Sequence, residues 1–249
     1  MIRVAVVGAG GRLGSQVCRV VEAEDDFELF ARLGSKDSLE ALAGADLVVD
    51  VTRHDVSPAV VASALAHGAR VVVGTSGWSA ERLAELQDSL DEGQTVVVIP
   101  NFSLGSTIST VVAGLIARHI PAVEIVETHH INKVDSPSGT AIRTAEIVSE
   151  ARGDVSGLDG IPAVPQGAES QPARGHNVAG VPVHSLRLPG VLAQQDVVFA
   201  GAGETVTLSH VTLSRDSYDA GISATLRFAA SPAHTGLIVG LDRVLGISA

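Results

Sequence analysis

Short apolar runs alternate with amphipathic segments along the first hundred residues. Continuous runs rich in Val and Ile are typical of strands buried on both faces of a parallel sheet. Strands are predicted at Val4–Val7, Phe27–Leu33, Leu47–Val51, Val71–Val73 and Val96–Ile99. Helices are predicted between them, including Ala59–His67 and Ala80–Leu90, the latter after a cap at Ser79. This alternation predicts a doubly wound α/β domain with right-handed crossovers.

The pattern changes after Asn101. A long helix is predicted at Leu104–His119, a strand at Val123–Thr128 and a second helix from about Ser138 to Ala151. The following Gly153–His176 is rich in Gly, Pro and Ala and is predicted as an extended loop.

Turn residues then separate three further strand-like segments, near Val181–Leu188, Gln195–Ala200 and Glu204–Leu213. Together with Val123–Thr128, they predict a smaller α+β domain with a mixed, mostly antiparallel sheet. A final helical region, Ser217–Ala230, closes the chain with Leu237–Leu245.

Composition narrows the class of protein. The 249 residues carry a formal net charge of −11, which argues against a broad surface for nucleic acid or anionic membranes. The N-terminus enters a strand-like segment rather than a signal peptide, and no run of about 18 apolar residues could span a bilayer. The single cysteine, Cys18, excludes an internal disulfide and a multi-cysteine metal site, and suits a reducing compartment. We therefore expect a cytoplasmic protein with neither nucleic acid nor membrane as a partner.

A glycine-rich turn follows the first strand, with the spacing Gly8-x-x-Gly11-x-x-Gly14. Small residues at such a turn let backbone N–H groups approach a pyrophosphate at the positive end of a helix. Arg12 lies beside the turn and could meet a phosphate or remain solvated. The pattern departs from a strict G-x-G-x-x-G and also occurs in tight turns without a ligand. Its place directly after an N-terminal strand favours a dinucleotide site, to which Leu13 also belongs.

The end of the second strand bears on the choice of cofactor. An acid at this place accepts a hydrogen bond from the adenosine ribose of NAD, whereas basic and hydroxyl groups suit the 2′-phosphate of NADP. No acid occurs there before Asp37, and Arg32, Ser35 and Lys36 could hold a phosphate. The segment favours NADPH over NADH, although an ordinary exposed basic turn has the same composition.

A polar loop carries the densest candidate chemistry. His129 and His130 are followed by Lys133, one of only two lysines among 17 basic residues. Histidine can deliver a proton near neutral pH, and lysine can bind a carboxylate or act as an acid. The segment Ser138-Gly139-Thr140 then opens a helix, whose N–H groups and two hydroxyls would cradle a carboxylate. The residues indicate an anion site beside a proton donor, with a plain polar loop as the alternative.

A zinc site formed by the two histidines is disfavoured. Adjacent residues at the end of a strand point to opposite faces, so His129 and His130 would not converge on one ion. No metal is expected.

The motifs together resemble the dihydrodipicolinate reductase family, the 4-hydroxy-tetrahydrodipicolinate reductases of diaminopimelate and lysine biosynthesis. The resemblance is carried by the glycine turn and three further motifs, which are Gly74-Thr75-Ser76-Gly77, Pro100-Asn101-Phe102-Ser103 and His129-His130-x-x-Lys133-x-Asp135-x-Pro137-Ser138-Gly139-Thr140. It implies NAD(P)H-dependent reduction of a small dicarboxylate with loss of water. It also implies a Rossmann-like dinucleotide-binding domain at 1–103 and 216–249, and a domain at 104–215 for substrate binding and oligomerisation. The family is usually a homotetramer.

The same resemblance implies roles for individual residues. His129 matches the catalytic acid, Lys133 the residue that binds or protonates the substrate, and His130 its partner in the pocket. Substrate carboxylate binding falls to Ser138, Gly139 and Thr140. Cofactor-facing positions match Thr52, Arg53, Gly74, Thr75, Gly77, Pro100, Asn101, Phe102 and, near the return to the first domain, Arg215. Another NAD(P)-dependent reductase of a small carboxylate and a non-catalytic dinucleotide sensor remain as alternatives.

Overall fold

The computed structural model describes residues 1–153 and 172–247. Their backbone divides into two compact units, the first formed by Met1–Leu104 with Tyr218–Gly246 and the second mainly by Gly105–Ser217. Of the predicted loop Gly153–His176, residues 154–171 lie outside the described residues.

Strands and helices follow one another in the order that the apolar pattern predicts. The described strands are β1 Ile2–Val7, β2 Phe27–Leu33, β3 Leu47–Asp50, β4 Arg70–Val73, β5 Thr95–Val98, β6 Ala122–His130, β7 His176–Val178, β8 Val181–Leu188, β9 Ala193–Gly201, β10 Glu204–Thr212 and β11 Gly236–Val239. The described α-helices are α1 Arg12–Ala23, α2 Ser57–Ala66, α3 Ala80–Ser89, α4 Leu104–Ala117, α5 Gly139–Arg152, α6 Asp219–Ala230 and α7 Leu241–Leu245. As predicted, Ser79 caps α3 by accepting a hydrogen bond from the amide of Arg82.

The first unit is built on a parallel sheet in the order β11-β5-β4-β3-β1-β2. Successive residues of β1 pack on opposite faces because side chains alternate along a strand. Val4 and Val6 join a core with residues of α1, α6 and α7, whereas Ala5 and Val7 join one with residues of α2 and α3. Both faces of the sheet are therefore covered, and the Rossmann-like α/β class is confirmed.

The second unit contains a mixed sheet in the order β10-β9-β6-β8-β7. Strands β6 and β8 are parallel, whereas the other neighbouring pairs are antiparallel. Alternate residues such as Ile125, Val183 and Phe199 pack against α4 and α5 in one apolar core. The predicted mixed, mostly antiparallel sheet is confirmed.

Two short strands were missed in the sequence. The closing segment Leu237–Leu245 contains most of β11 as well as α7, and β11 pairs with β5 at the edge of the parallel sheet. Gly236 and Gly240 adopt positive φ at its two ends and confine this strand to four residues. Strand β7 begins at His176, the last residue of the predicted loop.

Within the described residues, no helix combines the length and apolar character that crossing a membrane requires.

Candidate functional site

The cofactor candidates of the first unit follow the carboxyl ends of neighbouring parallel strands. The chain runs from β1 to β2 on one side and then continues with β3 on the other side of β1. In open α/β sheets, ligands bind outside the carboxyl ends of the strands at such a reversal. The candidates placed along this edge are Gly8, Gly11, Arg12, Ser35, Lys36, Thr52, Arg53, Gly74, Thr75, Gly77, Pro100, Asn101 and Phe102.

Steric contacts explain two glycines of the turn after β1. Gly8 has a φ of +90°, and a Cβ there would lie 2.5 Å from the carbonyl oxygen of Val51. A Cβ on Gly14 would lie 2.1 Å from the carbonyl oxygen of Gly8. Only residues without a side chain allow this approach of α1 and β3 to the turn.

The start of α1 fits a phosphate group. Its N-cap is Gly11, which has no side chain to cap the first amides, and the first turn contains no acid. Free N–H groups and the positive end of the helix dipole favour an anion at this place. Arg12 is exposed at the first position of the helix, whereas Leu13 packs against the apolar core. The turn and the helix start therefore fit the pyrophosphate of a dinucleotide.

The loop after β2 contains charges of both signs. Arg32 forms an exposed ion pair with Glu22, with Nη2 and Oε1 2.5 Å apart. The amide of Gly34 donates a 2.7 Å hydrogen bond to Asp37. Ser35 and Lys36, between them in the chain, are exposed.

A buried aspartate organises the loops after β3 and β4. Asp50 is fully buried and its carboxylate accepts hydrogen bonds from the hydroxyls of Thr52, at 2.6 Å, and Ser57. The indole of Trp78 donates to Ser57 at 3.0 Å, and the amide of Thr52 donates to the hydroxyl of Thr75 at 2.9 Å. Candidate residues on two loops are thus joined to one carboxylate that the sequence analysis did not include among the candidates.

Local contacts hold three further candidates of the first unit, Gly74, Asn101 and Phe102. A Cβ on Gly74 would lie 2.8 Å from the ring of Phe102, which is buried. The side-chain oxygen of Asn101 accepts a hydrogen bond from the amide of Ser103 at 2.9 Å.

Two exposed positions border the same edge. Arg53 forms an ion pair with Asp55, in which Nη2 and Oδ2 are 2.8 Å apart. Gly77 has a φ of +94°, and a Cβ there would lie 2.8 Å from the Cβ of His54.

Arg215 lies in the second unit, in a short 3-10 helix at Arg215–Tyr218.

In the second unit, the end of β6 carries the two histidines. The alternation along the strand places His129 on the face covered by α5 and His130 on the opposite face. Lys133 follows in the next turn, where its amide donates to the carbonyl of His130 at 3.0 Å. Its ammonium group lies 2.8 Å from the carboxylate of Asp135. The structure brings Lys133 to the loop beside His129 but separates the rings of the two histidines.

Glu127 lies next to His129 on the same face of the sheet and accepts hydrogen bonds from several donors. Its Oε2 is 2.6 Å from Nδ1 of His129 and 2.9 Å from Nη1 of Arg187. Its Oε1 is 3.0 Å from Nη2 of Arg187 and 3.2 Å from the amide of Ser138. Arg187 also donates to the carbonyl of Asp135 at 2.6 Å, so it joins β8 to the loop that carries Lys133.

The start of α5 is the place where the sequence predicts a carboxylate cradle. Ser138 is its N-cap, and the hydroxyl accepts a hydrogen bond from the amide of Ala141 at 3.2 Å. A hydroxyl that accepts such a bond retains its own proton for a ligand. A Cβ on Gly139 would meet no atom within 4 Å, and Thr140 is half-buried in the first turn. The helix therefore begins where the sequence predicts it, and Ser138 is its N-cap.

Electrostatics favour an ionised Glu127 beside a neutral His129. Burial raises the pKa of Glu127, but hydrogen bonds from Arg187, Ser185 and His129 outweigh it and leave the pKa lowered. Burial is the main cause that lowers the pKa of His129, and the positive charges of Lys133 and Arg187 act in the same direction. The bond to Glu127 opposes this shift without reversing it.

Sequence reasoning missed Glu127 and Arg187 as site residues. Glu127 and His129 stand two apart in a predicted strand, which is the spacing that places two side chains on one face. Arg187 carries no such signal, because its position depends on the pairing of β8 with β6, where it lies opposite His129.

Two family models match consecutive parts of the chain. The model described as dihydrodipicolinate reductase, N-terminus, matches residues 2–102, and the model described as dihydrodipicolinate reductase, C-terminus, matches residues 104–245.

Curated relatives match almost the whole chain. A 4-hydroxy-tetrahydrodipicolinate reductase of Clavibacter sepedonicus is 51% identical over 97% of this chain and 85% of the relative. A protein of the same name from Streptomyces griseus is 44% identical over 99% of both chains. Among solved structures, a dipicolinate-bound dihydrodipicolinate reductase from Paenisporosarcina sp. TG-14 is 30% identical, with a TM-score of 0.80 over 98% of this chain and 99% of that chain.

Proposed function

The chain belongs to the dihydrodipicolinate reductase family, and we propose which of its residues bind the cofactor, hold the substrate and move the proton. The reaction of this family is the NAD(P)H-dependent reduction of 4-hydroxy-tetrahydrodipicolinate in lysine and diaminopimelate biosynthesis. The reaction removes the substrate hydroxyl as water and adds a hydride and a proton to the resulting conjugated imine. The chain must therefore hold two anionic molecules and supply one proton.

The first unit binds the cofactor along the carboxyl edge of its parallel sheet. Gly8, Gly11 and the first amides of α1 hold the pyrophosphate, since Gly8 leaves no room for a side chain and the helix start favours an anion. When bound, the nicotinamide supplies the hydride. The other cofactor contacts of this unit are assigned to Arg12, Leu13, Arg32, Ser35, Lys36, Thr52, Arg53, Gly74, Thr75, Gly77, Pro100, Asn101 and Phe102. Arg215, which belongs to the second unit, is assigned a cofactor contact on the family resemblance.

NADPH is the preferred form of the cofactor. Ser35 and Lys36 are exposed after β2 and offer a hydroxyl and an ammonium group to a 2′-phosphate. Arg32 can join them when it exchanges its exposed partner Glu22 for the phosphate, since exposed ion pairs contribute about 1 kcal/mol or less.

The second unit binds the substrate, a small dicarboxylate like the dipicolinate named in the Paenisporosarcina structure. Ser138, Gly139 and Thr140 hold one carboxylate at the start of α5, where N–H groups and the helix dipole favour a negative charge. Lys133 binds the substrate as a cation, with Asp135 as its partner before binding. His130 is a further substrate contact.

His129 moves the proton, and its contact with Glu127 is the observation that carries this assignment. One ring nitrogen is engaged by a buried carboxylate at 2.6 Å, so the other nitrogen is the one left for the reaction. Burial lowers the pKa of His129, and the carboxylate opposes that shift by stabilising the imidazolium form, so the ring can take up a proton and deliver it as a general acid. Lys133, the neighbouring cation, is a second proton donor in this proposal.

The assignment is tested with His129→Gln and Lys133→Ala. We expect His129→Gln to lower kcat by about 100-fold or more, the usual contribution of a general acid, with the cofactor Kd unchanged. Lys133→Ala should raise the substrate KM as well. His119→Gln and Arg118→Ala, which alter exposed residues of the second unit, are the matched controls. Wild-type kcat and KM in both site variants would contradict the assignment.

The second unit also forms a homotetramer through the open face of its sheet. Helices α4 and α5 cover one face. On the other face, no described element packs over alternate residues that include the roughly half-exposed Leu186, Leu188 and Val211. Light scattering on the wild-type protein should give the mass of four chains, and Leu186→Asp should reduce it. Ile108→Asp, at an equally exposed position on α4, is the control. A wild-type monomer would contradict this interface.

We assign residues 1–103 and 216–249 to cofactor binding and residues 104–215 to substrate binding and oligomerisation. The cytoplasm is the proposed location, because a single free cysteine suits a reducing compartment.

A further inference from the structure

Glu127 is a fully buried carboxylate surrounded by donors. Arg187 binds it with both terminal nitrogens, at 2.9 and 3.0 Å. The amide of Ser138, the ring of His129 and the hydroxyl of Ser185 also donate hydrogen bonds to it. A buried charge is stable only when it is paired and fully hydrogen-bonded, and this one meets both conditions.

This arrangement determines which ring nitrogen of His129 carries the proton. An ionised carboxylate only accepts hydrogen bonds, so the Nδ1 atom that lies 2.6 Å away must be the donor. In the neutral ring, Nε2 is then the unprotonated nitrogen. A proton taken up by the ring enters at Nε2, and the same proton is the one available to a reacting molecule.

Arg187 fixes Glu127 in this position. Its guanidinium spans Oε1 and Oε2 of the carboxylate and is held in turn by the carbonyl oxygens of Asp135 and Leu186. A bidentate contact fixes the plane of the carboxylate as well as its distance. The charged groups around His129 are then Glu127 on its own strand, Arg187 on β8, and Lys133 and Asp135 in the loop.

We propose that Glu127, held by Arg187, is a positioning residue that keeps the proton of neutral His129 on Nδ1 and directs Nε2 to the reaction. The inference rests on the proposed function of His129. It assigns Glu127 no contact with substrate or cofactor.

Substitution by glutamine gives a sharp test because the groups that contact the Glu127 carboxylate act as donors. A Gln side chain has one accepting oxygen, and its amide nitrogen donates. If the oxygen stays with Arg187 and Ser138, the amide nitrogen faces Nδ1 of His129. Nδ1 must then accept, which moves the proton of the neutral ring to Nε2.

The experiment is nitrogen NMR on protein labelled at histidine, with the His129 signals identified by their loss in His129→Gln. We expect the Nδ1–H tautomer in the wild type at neutral pH and the Nε2–H tautomer in Glu127→Gln. Glu124→Gln is the matched control, because Glu124 lies on the same strand and also contacts a histidine and an arginine, His184 and Arg174. It should leave the His129 signals unchanged.

Kinetics on the same variants complete the test. Glu127→Gln should lower kcat at least tenfold with little change in substrate KM or cofactor Kd. Its activity should also begin to fall at a lower pH than that of the wild type, because the imidazolium of His129 loses the stabilising carboxylate. Glu127→Asp should recover part of the rate. A wild-type His129 in the Nε2–H tautomer, or full activity of Glu127→Gln, would overturn the inference. Full activity of His129→Gln would instead overturn the proposed function.

Discussion

The amide of Gly34 donates a hydrogen bond to the carboxylate of Asp37, with the two atoms 2.7 Å apart. Asp37 lies four residues beyond the end of β2 in the sequence, but this contact places its carboxylate beside the end of the strand. The same loop exposes Ser35 and the ammonium group of Lys36. A carboxylate suits the ribose hydroxyls of NADH and a cation suits the 2′-phosphate of NADPH. The cofactor preference therefore depends on two opposite charges within one loop.

Asp37→Asn should increase the preference for NADPH. Asn keeps an oxygen that accepts the Gly34 hydrogen bond, so the loop is retained while the negative charge is removed. One charge at a solvated site contributes about 1 kcal/mol, so the ratio of kcat/KM for NADPH to that for NADH should rise about fivefold. Steady-state kinetics with both cofactors measure this ratio. An unchanged ratio would show that the Asp37 carboxylate lies away from the ribose.

Lys36→Gln should act in the opposite direction. Loss of the ammonium group removes a charge-assisted contact with the 2′-phosphate, and such contacts contribute about 1.5 to 3 kcal/mol. The kcat/KM for NADPH should fall at least tenfold while the value for NADH stays within about twofold. Equal losses with both cofactors would contradict the role given to Lys36.

Gly14→Ala should destabilise the first unit. The added Cβ would lie 2.1 Å from the carbonyl oxygen of Gly8, so the turn must shift, and overpacking of this kind costs about 1 to 3 kcal/mol. Gly10→Ala is the control, since a Cβ there meets no atom within 4 Å. Urea unfolding should give a lower free energy of unfolding for Gly14→Ala alone. Equal values for the two variants would contradict the steric argument.

Asp50→Ala should also lower the free energy of unfolding. The substitution leaves the hydroxyl of Thr52 and the fully buried hydroxyl of Ser57 without their shared acceptor, at a cost of about 3 kcal/mol. Asp55→Ala removes only an exposed ion pair with Arg53 and should change the value by less than about 1 kcal/mol. If both variants unfold at the same urea concentration, Asp50 does not organise these loops.

Stability should fall on mild acidification, in part through His210. Burial lowers the pKa of this ring, so between its folded pKa and the ordinary value of about 6.5 the unfolded chain binds more protons. The free energy of unfolding should therefore rise as the pH increases through this interval. His210→Leu should reduce this slope, whereas His119→Leu, at an exposed position, should not. The same slope in His210→Leu and the wild type would contradict this account.

Local patterns predicted most elements of the fold. Phe27–Leu33 and Val181–Leu188 are strands with the predicted bounds, and Ser79 and Ser138 cap the helices that follow them. Each of these features is determined by a few adjacent residues. The edge strand β11 has four residues between two glycines, and only its pairing with β5 distinguishes it from a turn.

The candidate site was predictable to the same extent. His129, Lys133 and Ser138 lie close together in the chain, and one motif identifies them. Arg187 lies far from these residues in the sequence, on β8. Its contact with Glu127 depends on the register between β6 and β8. Long-range pairing of this kind leaves no local pattern in the sequence.

The most direct test of the account is oxidation of reduced nicotinamide by the wild-type protein, with 4-hydroxy-tetrahydrodipicolinate generated in the assay by its synthase. We expect turnover with both cofactors, faster with NADPH, and loss of turnover in His129→Gln. Folded protein that binds cofactor but turns over neither NADPH nor NADH with this substrate would contradict it.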